Sequence, residues 1–277
     1  PPLGARSQWN EVFSVVTRRR GVIMVGPARA VRADALGLVR RVTVWGRPEP
    51  LHVHPRTVHV PFDATGFQAD TEGVTTARLS SSDVSFHTLR DYEPGDDRRH
   101  VHWPTTARLG RLIVRQYEET RRSHHLVVVD TRRGSWSGDD LETALSAAAS
   151  LALAGLSRSR TVSLRSSGGW VPTGSPVGML DALAELDTVD GQPLVDTVLQ
   201  ALAERPGTSV LTVVVSPATS DDEAARLTTL AHPDVVTGIL RIRPQAASRR
   251  RRAGQGRIVD CPGLEDLPRV LASGGLS

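Results

Sequence analysis

An alternation of short apolar runs with longer amphipathic segments, beginning at residue 124, constrains the fold of this chain more than any other feature. Four apolar runs have the length and the branched aliphatic content of buried strands: residues 124–131, 161–167, 209–217 and 234–244. Four segments with helical spacing lie between them: 139–158, 175–186, 193–205 and 220–233. Strands that alternate with helices form a mostly parallel sheet covered on both faces. The pattern predicts a doubly wound α/β domain over residues 124–277.

The first part of the chain follows a different pattern. Residues 12–62 contain short apolar stretches interrupted by turn residues such as Gly26-Pro27 and Gly46-Arg47-Pro48, which is typical of the strands of a small sheet. Residues 63–82 are rich in Ser, Thr, Gly and Asp, which favours a loop or an interdomain connection. We therefore predict a β-rich region over 1–77, a linking segment over 78–123, and the α/β domain over 124–277.

Composition excludes several classes of protein. The chain has 277 residues, 39% of them hydrophobic, which is enough for a sizeable core, and its net charge is +4. The sequence contains no lysine, so arginine supplies all of its Lys/Arg charge. Such a composition is only a weak indication of nucleic-acid binding. The one cysteine, Cys261, excludes an internal disulfide and a cysteine-cluster metal site. No run of eighteen or more apolar residues is present, so we expect the chain as given neither to span a membrane nor to carry an export signal.

Known reaction motifs are absent or incomplete. A phosphate-binding loop of the Walker type needs a lysine, and the sequence has none. The segment "GSWSG" (134–138) has Trp136 where a nucleophile elbow has serine, and "GQGRIV" (254–259) lacks the third glycine of a dinucleotide motif. We therefore predict no catalytic residue and no cofactor.

Two groups of basic residues have alternative interpretations. The pairs His52/His54 and His100/His102 could place two imidazoles on one strand face as metal ligands, or they could be partly exposed strand histidines. The Arg run at 249–252 could contact phosphates, or it could be a solvated loop between strands. No aromatic residues are interleaved with these arginines, as single-strand binding would require, so nucleic acid is not a predicted partner.

Polar residues follow the predicted strands, where α/β proteins usually bind ligands. Asp130 ends the first strand and Ser216 the third. Asp221 and Asp222 open the next helix, and we interpret them as a pair stabilised by the helix dipole.

The segment 89–119 carries a long, specific series of residues: Arg90, Tyr92, Gly95, Asp96, Arg99, Val101, Trp103, Ala107 and Arg108. A second series lies upstream, at Arg20-Gly21, Gly26-Pro27, Asp34, Gly37-Leu38 and Val53-His54-Pro55. Together they resemble the bacterial family called domain of unknown function fifty-eight.

This resemblance implies a C-terminal domain similar to the von Willebrand factor A domain, preceded by a β-rich region. It also implies two N-terminal membrane helices in the full-length protein, so we expect this chain to be a soluble fragment of a protein of the cell membrane, exposed on the cytoplasmic side. Members are commonly encoded beside MoxR-type AAA+ ATPases. The resemblance therefore implies a non-enzymatic adaptor that works with such an ATPase in complex assembly or envelope processes.

One departure from the related domains concerns the metal site. A working von Willebrand A site reads Asp-x-Ser-x-Ser, whose oxygens bind Mg²⁺. Here Arg132 and Gly134 replace the two serines after Asp130, and Ser216 stands where a further acidic ligand is expected. We predict a degenerate site without a divalent ion, in which Arg132 or Arg133 pairs with Asp130.

The signature segment allows three interpretations. In the first it is a structural clasp: Pro94-Gly95 form a turn, Asp96 caps a helical turn through residue 103, and Tyr92 and Trp103 are buried. In this clasp, the arginines pair with nearby carboxylates: Arg90, Arg99 and Arg108 with Asp91, Asp96 or Glu118. In the second, the same residues form an exposed partner contact, since Arg, Tyr and Trp are enriched at binding hot spots. In the third, Asp96, His100 and His102 serve a hydrolase as acid and base, although no nucleophile accompanies them.

Overall fold

The computed structural model describes residues 10, 12, 14–34, 36, 38–60, 84–93, 96, 101–119, 124–158, 160–254 and 256–272, with backbone only for 84–88 and 115–119. The predicted linker at 63–82 lies outside these residues. None of the helices in the described part is both long and apolar enough to cross a bilayer.

The described residues of the N-terminal region contain four strands: β1 (Gly21–Val25), β2 (Ala28–Ala33), β3 (Arg40–Trp45) and β4 (Glu49–Val53). They make two separate antiparallel ribbons, β1 with β4 and β2 with β3, and not the single small sheet that the sequence predicts. The reason is geometric. The chain between β1 and β2 and between β3 and β4 turns at Gly26 and Gly46, whose φ of +96° and +77° interrupt the extended backbone, so the two ladders are not continuous.

The signature segment forms a third ribbon and a short helix. Strand β5 (Val84–Asp91) pairs antiparallel with β6 (Ile113–Glu119), and α1 (Trp103–Leu109) lies between them in sequence. Val101 is buried and bridges Val114, so it is extended and not part of the helical turn that the sequence predicts through residue 103. Helix α1 begins later because Pro104 lacks an N–H and is best accommodated in the first turn.

The predicted α/β class with a mostly parallel sheet is confirmed for the chain after residue 124. Its seven strands are β7 (His124–Val129), β8 (Val162–Ser166), β9 (Gly169–Val171), β10 (Thr208–Val215), β11 (Val236–Ile242), β12 (Arg249–Ala253) and β13 (Gly256–Cys261). They form one sheet in the order β12-β13-β11-β10-β7-β8-β9. The five central strands are parallel, and the two edge strands β9 and β12 are antiparallel to their neighbours.

Both edge strands differ from the sequence-based expectation. The predicted strand at 161–167 is β8, but the chain then turns back into the antiparallel strand β9, which the sequence analysis does not predict; the Arg run is strand β12 and not a solvated loop. Arginines can line an edge strand because only one side of it needs a backbone partner, and their charged ends reach solvent or carboxylates.

Helices cover both faces of the sheet: α2 (Asp140–Leu156), α3 (Pro176–Glu185), α4 (Leu194–Glu204), α5 (Asp221–Thr228) and α6 (Leu267–Ala272). Val127 and Val129 of β7 pack with α2 and α3 on one face, whereas Leu126 and Val128 pack with α4 and α5 on the other. The alternation follows from the two-residue period of a strand. Val60, only 3% exposed, joins the first of these cores and ties the end of the N-terminal region to it.

Candidate functional site

The carboxyl ends of β7 and β10 form the crevice where the strand order reverses. Strand β7 is followed along the chain by β8 on one side, and the chain then returns through β10 on the other. Such a switch point is where doubly wound proteins place their ligands. Asp130 and Ser216, the two residues predicted to follow these strands, flank this point and are both buried.

Arg132 donates hydrogen bonds to both carboxylate oxygens of Asp130. Oδ1 of the fully buried Asp130 accepts the backbone N–H and the Nε–H of Arg132, each at 3.0 Å, and Oδ2 accepts Nη2–H at 2.9 Å. This bond raises the pKa of the Arg132 guanidinium, which burial alone would lower. The predicted pairing with Asp130 is therefore confirmed for Arg132. Arg133 lies away from it and pairs with the exposed Asp190 at 3.1 Å.

The remaining groups at this edge hold Asp130 in place. The indole Nε1–H of Trp136 donates to the Asp130 carbonyl at 2.8 Å, and the Ser167 hydroxyl lies 3.4 Å from Oδ1. Ser167 also accepts the backbone N–H of Thr131 at 2.9 Å. Neither Trp136 nor Ser167 was singled out as part of this site in the sequence analysis. Ser167 could have been, because it directly follows β8, the strand beside β7.

The residues at the carboxyl ends of β7 and β10 favour an ion pair between Arg132 and Asp130 over a bound metal ion. Hydroxyl ligands are missing at Arg132 and at Gly134, whose φ is +81°. Glu223, in the first turn of α5, lies 3.9 Å from the Arg132 guanidinium. In the part of the chain that the structure describes, no three His, Cys, Asp or Glu side chains are grouped as a metal site.

Asp221 belongs to a larger network than the helix-dipole interpretation suggests. Its carboxylate accepts Nη1–H of Arg241 at 2.8 Å and Nη1–H of Arg251 at 2.6 Å. These bonds, that of Arg251 first, hold the pKa of Asp221 well below its usual range. Arg241 is 2% exposed and also donates to Asp260 at 2.6 Å. The Arg run is thus tied to α5 through Arg251.

The signature segment forms its own ion pairs. Arg90 donates from both terminal nitrogens to the two oxygens of Asp96, at 2.8 and 2.6 Å, which confirms one pairing predicted for the clasp. Asp96 also accepts the Glu93 N–H, and Arg111 pairs with Asp91 at 2.9 Å. Arg99, Gly95, Pro94 and His100 lie outside the described residues, as does the side chain of Glu118.

Trp103 contradicts the clasp interpretation, in which it is buried. It is 65% exposed, and α1 contains no buried residue. The helix contacts β6 through Thr106, whose hydroxyl accepts the Ile113 N–H at 3.0 Å. Arg108 is also exposed in the last turn, whereas Tyr92 is half-buried. Leu109 and Leu112 are also exposed, at 54% and 43%.

Among the described residues, Arg20, His52 and His54 connect the N-terminal region to the α/β domain. Arg20 donates to the carbonyls of Leu183 and Ala184 at the end of α3, at 3.0 and 3.3 Å, and its Nε lies 3.2 Å from Glu142. His52 Nε2 lies 2.9 Å from Glu185, and the exposed His54 lies 2.7 Å from Asp181. The first histidine pair is therefore partly exposed, as one interpretation predicted, and faces carboxylates of α3.

A cavity of about 370 Å³ opens at the β9 edge. Its lining residues are Ser163, Trp170, Val171, Pro172, Thr173 and Arg205. Ser163 Oγ lies 2.9 Å from Nε2 of His124. Burial, followed by the charge of Arg205, lowers the pKa of His124. This resembles a nucleophile and its base, yet His125 makes the same contact with Thr212 at 2.8 Å inside the closed core. Such a cross-strand bond is a common way to satisfy a buried histidine.

The sheet and its covering helices define an α/β protein. The family described as "Protein of unknown function DUF58" matches residues 88–243, more than half of the chain. The chain therefore belongs to this family, as the signature indicates.

A curated relative is the uncharacterized protein YeaD of Bacillus subtilis (strain 168), 24% identical over 129 residues. The match covers 44% of this chain and 30% of the relative, so this chain spans less than a third of that protein. No solved structure matches.

Proposed function

We propose that this chain is a non-enzymatic interaction module that binds a partner protein through the surface of α1. The observation that carries the proposal is the 65% exposure of Trp103 on a helix without buried side chains. Water disfavours a large exposed apolar surface, and Trp and Arg contribute most of the binding energy in many interfaces. The exposed residues Trp103, Arg108 and Leu109 of α1 and Leu112 after it, which we call the α1 patch, include these residue types.

The partner we propose is a MoxR-type AAA+ ATPase, and the full-length protein is proposed to be anchored in the cell membrane with this domain on the cytoplasmic side. Both statements rest on the family resemblance in the signature residues, and so does a von Willebrand factor A-like arrangement of the α/β domain. The Arg132–Asp130 pair supports a role in binding over one in metal chemistry, because both carboxylate oxygens already accept hydrogen bonds from one guanidinium.

Nucleic acid is left out of the proposed partners. The Arg run is part of strand β12, and Arg251 in it donates to Asp221, so part of its charge is already compensated within the fold. Asp96, which the hydrolase interpretation uses as an acid or base, is likewise bonded through both oxygens to Arg90. Neither group therefore supplies a specific argument for a second function.

The proposal is tested by binding the purified chain to a MoxR-type ATPase from the same organism, with ATP, with ADP and without nucleotide. Trp103→Ala is expected to weaken binding by about thirtyfold, since a hot-spot tryptophan contributes about 2 kcal/mol. Trp45→Ala is the matched control, because Trp45 is 62% exposed but lies on the β2–β3 ribbon. Absence of binding in every nucleotide state would contradict the adaptor function. Equal binding by Trp103→Ala and the wild-type chain would contradict the α1 patch.

A further inference from the structure

The β2–β3 ribbon is exposed on both of its faces. All six residues of β2 are exposed, and so are five of the six in β3. At its tip, Leu36, Leu38 and Val39 are 79%, 80% and 68% exposed. A two-stranded ribbon without a covering layer is marginally stable in water. Because the three large apolar side chains at the tip stay exposed, their burial does not contribute to the stability of the fold.

Arginines surround this tip. Arg32 and Arg41 are directly opposite each other in the ribbon, and Arg40 is opposite Ala33 in the adjacent pair. Like charges that face each other across two strands destabilise the pairing. Among the described residues, no carboxylate lies within ion-pair distance of these three side chains. The arrangement would be relieved by anions brought from outside the chain.

The only acidic residue between positions 28 and 45 is Asp34, and it serves the backbone. Its Oδ1 accepts the Val39 N–H at 2.8 Å, and its own N–H donates to the Val39 carbonyl at 3.1 Å. Asp34 thus closes the tip and holds Leu36 and Leu38 at the end of the ribbon, while the arginines keep their charge for an external partner.

We propose that the β2–β3 ribbon docks on an anionic lipid surface, with Leu36, Leu38 and Val39 entering the bilayer interface and Arg32, Arg40 and Arg41 contacting lipid phosphates. The dimensions agree. The arginines occupy the first two paired positions behind the tip. Because a strand rises about 3.3 Å per residue, they lie within the roughly 5–10 Å to which interfacial segments insert. The inference goes beyond the proposed ATPase binding and does not depend on a membrane anchor elsewhere in the protein.

Charge complementarity favours lipid over a second copy of this chain. Two copies that met through their ribbons would bring their Arg32 and Arg41 pairs together, which adds like-charge repulsion. An anionic bilayer instead presents many phosphates to several arginines at once, together with an apolar layer for the tip.

The test is co-sedimentation of the full chain with vesicles of phosphatidylcholine, alone or with about 30% phosphatidylglycerol. The wild-type chain is expected to pellet with the anionic vesicles, and less so at high salt. Arg32→Gln with Arg41→Gln is expected to weaken partitioning about 25-fold, because each arginine near the surface contributes about fivefold. Leu36→Ser with Leu38→Ser should weaken it at least tenfold without unfolding, because both side chains are exposed.

Two matched controls come from the α/β domain. Arg158→Gln with Arg226→Gln removes the same charge from exposed sites, and Val177→Ser with Leu199→Ser removes exposed apolar side chains. Both are expected to bind as the wild-type chain does. Equal pelleting with neutral and anionic vesicles would overturn the proposal, and so would unchanged binding of either ribbon variant. A wild-type dimer in sedimentation equilibrium that Leu36→Ser with Leu38→Ser converts to monomer would assign the tip to self-association and overturn the lipid contact.

Discussion

Removing the Arg132 guanidinium is expected to destabilise the chain, because it leaves Asp130 as a buried charge. Asp130 is fully buried, and Arg132 supplies two side-chain hydrogen bonds to it at 2.9 and 3.0 Å. Breaking a buried ion pair costs about 3–5 kcal/mol. In Arg132→Ala the backbone N–H of residue 132 and the Ser167 hydroxyl remain near the carboxylate, so we expect the lower end, about 3 kcal/mol.

The measurement is the free energy of unfolding from urea titration at neutral pH. Total stabilities of about 5–15 kcal/mol are usual, so a loss of this size shifts the midpoint clearly. Asp130→Asn combined with Arg132→Ala should lose less than Arg132→Ala alone, because the buried charge is gone. Arg133→Ala is the control: its pair with Asp190 is exposed, and we expect a change below about 1 kcal/mol. The reasoning is refuted if Arg132→Ala is as stable as Arg133→Ala, or if the double variant is the least stable of all.

Three further predictions follow from other contacts. Burial, followed by Arg160 and His124, lowers the pKa of His125 to about 4. The unfolded chain therefore binds this proton first, and stability that is fully present above about pH 6.5 should fall by roughly 3 kcal/mol towards pH 4. Urea titrations at several pH values should show a shallower fall for His125→Asn, and an unchanged slope would contradict the assignment. Arg20→Ala should lower the free energy of unfolding by about 2 kcal/mol, because it leaves carbonyls at the end of α3 without their donor and Glu142 without its ion-pair partner. Arg19→Ala, at an exposed pair, should cost less than about 1 kcal/mol. Titration calorimetry of the wild-type chain with Mg²⁺ should show no micromolar binding, and a measurable site would contradict the pairing at Asp130.

Features that depend on neighbouring residues could be read from the sequence. The apolar strands and amphipathic helices after residue 124 have periodicities that are set by local geometry, so the α/β class follows from them. Ser220 caps α5 by accepting the Glu223 N–H, as a serine before acidic residues indicates. The Arg132 pairing was also predictable, because its partner is two residues away.

Features that depend on distant residues could not be predicted in the same way. Edge strand β12 is stabilised by pairing with β13 and by Arg251 reaching Asp221, thirty residues earlier in the chain. Arg20 meets Leu183 across 163 positions, and no local pattern indicates that contact. The clasp interpretation was wrong to bury Trp103, whereas the partner-contact interpretation has it exposed; a tryptophan in a charged segment can be buried or exposed with the same neighbours in sequence.

The sequence by itself determined the family, the α/β class and the loss of the hydroxyl ligands after Asp130, because each is written in residue types at short spacing. Only the tertiary structure decided which charges are compensated inside the fold and which face outwards. The physical reason is that an ion pair or a buried surface exists only where two distant segments meet. The same residue type, arginine, therefore neutralises Asp130 from position 132 and stands without a described carboxylate partner at positions 32, 40 and 41.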